Sequence, residues 1–97
     1  MDPFTIAAAV SLIGGGLYLI YIAFLVLSKI IDWFRTKARN SKIRATLQNK
    51  TRNGQYKTIA VGLDHNYNVE VSTGYKSDDI DSDLYNAHYD EEVVIWT

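Results

Sequence analysis

Cysteine is absent from this 97-residue chain, which excludes disulfides, thiolate zinc sites and cysteine nucleophiles. It also removes the staples with which small secreted domains offset a thin core, and a cytoplasmic or virion-interior setting fits that absence. Histidine is scarce: His65 and His88 are the only two, with neither a His-x-x-x-His pair nor a thiol to complete a metal site. No glycine-rich phosphate loop stands between a strand and a helix, and no nucleophile with a positioned base and orienter can be nominated. No catalytic residue, metal or cofactor is therefore expected. Asp79, Asp81 and Asp83 occupy the first, third and fifth places of an EF-hand-like loop, with Asp90 at its end. Leu84 stands where the sharp turn needs glycine, so this segment reads as a solvated acidic loop.

Charge of one sign is missing from each half of the polar region. Between Lys29 and Lys57 nine basic residues face one acid, Asp32, and from Asp64 to the end nine acids face only Lys76. The net charge of -1 hides this segregation. It points to an arm that meets phosphate and a domain that does not.

What is present is a long apolar run, Thr5 to Leu27, without a charge. At about 1.5 Å per residue a helix of that length reaches roughly 34 Å, enough to span a hydrocarbon core. A signal peptide would want a basic lead and a small-residue cleavage site, and a buried core helix would want a larger protein around it. The run is thus expected to be a single transmembrane helix within an anchor at 1–34. It would continue as a basic helical arm at 35–54 and be followed by a small β-rich acidic domain at 55–97. All nearby bases follow the run, so the N-terminus is expected outside and the C-terminus in the cytoplasm. Ala7, Ser11 and Gly15 form a small-residue stripe at helical spacing, joined by Gly14 and Gly16; with Tyr18 and Tyr21, whose hydroxyls want partners, they are the expected helix-packing residues. The bland alternative is that small residues merely populate membrane helices.

Lys29, Trp33, Arg35, Lys37, Arg39, Lys42 and Arg44 are the expected contacts to lipid head groups. Nucleic acid is the less favoured partner, because no aromatic is interleaved between Arg35 and Gln55. Beyond Gly54 the period changes. Ile59, Val61 and Leu63 alternate with small residues, Asp64 to Asn68 supplies turn formers, and Val69 to Thr73 alternates again, so a β-hairpin closed by Gly74 is expected. Glu91 to Thr97 reads as a third strand, and Asp81 to Asp90 as one or two helical turns capped by Ser82 or Asp83. The fold class is accordingly α+β: one membrane helix, its basic extension, and an antiparallel sheet of about three strands.

The opening Met-Asp-Pro-Phe-Thr-Ile-Ala-Ala-Ala, running into Ser-Leu-Ile-Gly-Gly-Gly, resembles the starts of some minor virion proteins of phages. The plan of one span and a tiny domain is similar to the small membrane proteins of tailless phages with an internal membrane. The resemblance implies a non-enzymatic structural protein that assembles through its span, as a homo- or hetero-oligomer, and links a virion membrane to capsid protein. The rival classes are an accessory subunit of a bacterial inner-membrane complex and a membrane-disrupting effector with a ligand-sensing domain.

Overall fold

The computed structural model describes residues 18–96. Seven elements follow one another: β1 (Leu19–Leu25), α1 (Leu27–Lys37), β2 (Ile43–Lys50), β3 (Tyr56–Leu63), β4 (Val69–Ile80), α2 (Ser82–Ala87) and β5 (Val93–Trp96). The strands form one mixed sheet in the order β1-β4-β3-β2-β5, with β1 parallel to β4 and every other pair antiparallel.

This architecture corrects the expected membrane helix. Among the described residues no helix is long and apolar enough to cross a membrane. The second half of the apolar run is divided between an edge strand and the first turn of α1. Leu19 to Leu25 is apolar throughout, but its β-branched and aromatic residues suit a pleated surface. Summed hydropathy does not tell a strand from a helix in such a run, and the strand is realised because the long β4 supplies backbone partners from Gly74 to Ile80. With the span go the single-pass anchor, the membrane location and the N-outside, C-cytoplasmic orientation that depended on it. Ala7, Ser11, Gly14, Gly15 and Gly16 lie outside the described residues.

The basic helical extension is corrected as well. The helix stops at Lys37, and Ile43, Ala45 and Leu47 alternate with Arg44, Thr46 and Gln48 along β2. The expected hairpin is present as β3 and β4, and the expected final strand as β5. Gly74, however, does not close β4: it sits in mid-strand between Ile59 of β3 and Leu19 of β1. The expected three-stranded antiparallel sheet is therefore five-stranded and mixed.

Both helices lie on one face of the sheet. Ile30 and Phe34 of α1, with Ala38 just beyond it, repeat at helical spacing and pack with Leu84 of α2 on Ala60, Tyr75, Leu25 and Ile80. A second cluster joins Ala45, Leu47, Ile59, Val61 and Leu63 on the opposite face, as the two-residue period of β2 and β3 requires. Asp81 organises the helix starts. Its Oδ1 accepts from Leu84 N–H at 2.9 Å as the N-cap of α2, one residue earlier than expected. The same carboxylate accepts from Leu27 N–H at the start of α1, at 3.2 and 3.3 Å. At the β3–β4 turn, hydrogen bonds from Asn68 and Asn66 hold the Asp64 carboxyl below its ordinary value.

Candidate anion-binding pocket

The C-terminal half of α1 and the β2–β5 edge enclose a cleft of about 470 Å³, lined by Ile31, Phe34, Arg35, Arg39, Arg44 and Trp96. Ile31, Phe34 and Arg35 share one flank of α1 because they are three and four residues apart. Arg39 comes from the turn that follows the helix, where the chain reverses into β2. Arg44 and Trp96 are opposite one another in the β2–β5 register. Residues 52 positions apart in the chain thus meet as a cross-strand pair.

Among the described residues the lining is one-sided in charge: three guanidinium groups contribute to it and no carboxylate does. Arg44 is held in place, its Nε donating to the Ala38 carbonyl at 3.1 Å and its Nη2 to the Arg39 carbonyl at 2.9 Å. These bonds satisfy carbonyls at the end of α1 and leave other guanidinium N–H groups for a ligand. Phe34 and Trp96, with ring centroids 6.5 Å apart, form the apolar wall.

Trp96 is itself fixed by a buried polar chain. Its Nε1–H donates to Thr46 Oγ1 at 2.8 Å, and Thr46 Oγ1 lies 2.7 Å from His88 Nε2. His88 Nδ1 lies 2.9 Å from the Glu91 carbonyl, which can only accept, so Nδ1 carries the proton and the Thr46 hydroxyl donates to Nε2. Thr46 is fully buried and His88 is 8% exposed. A threonine hydroxyl beside a histidine suggests a nucleophile and its base, but no substrate reaches an oxygen with no exposed surface. The chain is a brace for β5.

Burial pushes the His88 imidazole below its ordinary 6.5, against the opposing pull of the Glu91 and Glu92 carbonyls. The unfolded chain takes up a proton as pH falls through about 6.5, while the folded chain resists it until the lower folded value is reached. Stability is therefore expected to be complete above neutrality and to decline as pH is lowered from 7 towards 5.5. Urea denaturation across that window checks this. His88→Gln, which does not titrate, should flatten the decline; an unchanged slope would place its origin elsewhere.

The residues expected to contact head groups do not form one surface. Arg35, Arg39 and Arg44 converge on the cleft, whereas Trp33 and Lys37 lie on the other flank of α1 beside Val71 and Ser72 of β4. Lys29 stands 6.0 Å above the Tyr75 ring, and Lys42 is exposed before β2. Tyr18 is exposed, and the Tyr21 hydroxyl finds its partner in Asp78, which also accepts from Gln55 Nε2 at 2.9 Å. That bond raises Tyr21 and lowers Asp78 from their ordinary values. Sequence reasoning missed the contributions of Ile31, Phe34 and Trp96; the signal that could have exposed them was the alternation of Ile43, Ala45 and Leu47, which makes Arg44 a strand residue. Among the described residues no group of three histidine or acidic side chains could hold a metal ion.

No protein-family model matches the chain, and no curated protein or solved structure is significantly similar to it. The functional reading therefore rests on the cleft itself.

Proposed function

We propose that this protein is a non-catalytic binding module for a phosphate-bearing small molecule, held in the cleft between α1 and the β2–β5 edge. The observation that carries this reading is the convergence of Arg35, Arg39 and Arg44 on a cavity to which no described residue adds a carboxylate, walled by Phe34 and Trp96. Guanidinium groups match phosphate oxygens with paired, charge-assisted hydrogen bonds. The aromatic wall offers a stacking surface to a flat group attached to the phosphate. Because Arg44 is anchored by two backbone carbonyls, little side-chain freedom is lost when it engages an anion.

Titration with adenosine triphosphate, pyrophosphate and adenosine, followed by calorimetry and by tryptophan emission in a Trp33→Phe background, tests the reading. Adenosine triphosphate should bind more tightly than pyrophosphate, and adenosine most weakly. Arg35→Gln and Arg39→Gln, both exposed positions, should each weaken binding about tenfold or more, since a hydrogen bond to a charged group contributes about 1.5–3 kcal/mol. Added salt should weaken it further. Adenosine binding as well as its triphosphate, or no binding by any of the three, would refute this function.

A further inference from the structure

We infer that β1 is a dimerisation strand, pairing antiparallel with β1 of a second copy of this chain. The strand Leu19–Leu25 lies at the edge of the sheet, with β4 as its one neighbour among the described residues. An edge strand presents unpaired backbone N–H and C=O groups, and proteins that stay monomeric blunt such an edge with lysine, proline, a bulge or very short length. The opposite edge is blunted in this way: β5 has four residues and follows the exposed Glu91 and Glu92. Over its seven residues β1 carries no charge, proline or glycine, and its pairing with β4 has no register shift.

The choice of a second copy as occupant comes from the pattern of exposure. Ile20 and Phe24 are 46% and 50% exposed, whereas Ile22 between them is half-buried against the core. The three share one face of the strand, because side chains alternate. An antiparallel pair with its twofold axis at Ile22 sets Ile20 of each copy opposite Phe24 of the other. Both contacts join a β-branched residue to an aromatic ring, a favourable cross-strand combination. With no charge in the strand, the twofold brings no like charges together. The sequence is complementary to its own reverse, as an isologous interface requires.

Sedimentation velocity of the full chain over a wide concentration range should show a monomer of 11.0 kDa giving way to a species of twice that mass. Ile20→Lys and Phe24→Lys, alone or together, should abolish the larger species, and circular dichroism should show that these exposed changes leave the fold intact. The charge pair I20K/F24E should restore it, since the new lysine of one copy then faces the new glutamate of the other. A wild-type chain monomeric at every concentration, or a dimer indifferent to the lysine substitutions, would overturn the inference. Loss of the dimer in I20K/F24K without recovery in I20K/F24E would overturn the antiparallel register.

Discussion

Gly62→Ala is expected to destabilise the fold by about 2–3 kcal/mol, towards the top of the range for overpacking a filled interior. Gly62 is buried on β3, the central strand, beneath the turn that leads from α1 into β2. A methyl group there would lie 2.3 Å from Ser41 Oγ, 2.9 Å from Ser41 Cβ and 2.9 Å from Ala38 Cβ. The hydroxyl can rotate away, but the two Cβ atoms are tied to the backbone, so the turn itself must lift. Lifting it would also disturb the Ala38 and Arg39 carbonyls that hold Arg44. Ligand affinity should therefore fall together with stability. The measurement is urea denaturation of Gly62→Ala beside Ser41→Gly and the double variant. Because two of the three close atoms belong to Ser41, the double variant should recover a large part of the loss, with a coupling above about 0.5 kcal/mol. Additive losses would mean that the turn yields without strain.

Asp81→Ala should cost a comparable amount, about 2–3 kcal/mol, because one carboxylate serves the starts of two helices. Removing an ordinary N-cap costs about 0.5–2 kcal/mol. Here the same change deprives both Leu84 N–H and Leu27 N–H of their acceptor. The backbone of Asp81 is not replaceable in the same way: its N–H donates to the Leu25 carbonyl at 3.0 Å, continuing the parallel ladder of β1 and β4. The side chain is therefore held where both helices begin. Asp81→Asn keeps one acceptor oxygen and, since asparagine caps about as well as aspartate, should retain the α2 cap and lose less stability, chiefly through the weakened bond to Leu27 N–H. Amide hydrogen exchange separates the two roles, since both Leu27 and Leu84 amides should exchange faster in Asp81→Ala. Acceleration at Leu84 alone would show that the bond to α1 contributes nothing.

The β3–β4 hairpin and the edge strand β5 were legible because their signals are local. Ile59, Val61 and Leu63 alternate, Asp64 to Asn68 carries turn formers, and Val93 to Trp96 is rich in β-branched and aromatic residues, so the hairpin and β5 follow from a two-residue period. The reading failed where a strand is hidden in a composition suited to something else. Leu19 to Leu25 stands inside an apolar run of membrane length, and Ile43 to Lys50 inside a basic run. In the second the alternation was present but outweighed by overall charge; in the first every residue is apolar, so no alternation marks the strand. The extension of β4 through Gly74 was illegible for a different reason: a glycine weakens a strand locally, and only pairing with Ile59 and Leu19 on both sides carries β4 through it.

By itself the sequence determined the absence of thiol chemistry, the segregation of basic from acidic residues, and the β-hairpin around the Asp64 turn. Each depends on composition or on residues close along the chain, which propensity and periodicity can register. Tertiary structure alone decided that Arg35 and Arg39 share a cleft with Arg44 and Trp96, that Asp81 serves two helices, and that Gly62 must lack a side chain. Those relations join residues far apart in the chain, and they arise from strand order, which sets Trp96 beside Arg44 and β4 beside β1. Strand order is chosen by the burial and backbone pairing of the whole sheet at once, and no window of neighbouring residues contains that sum.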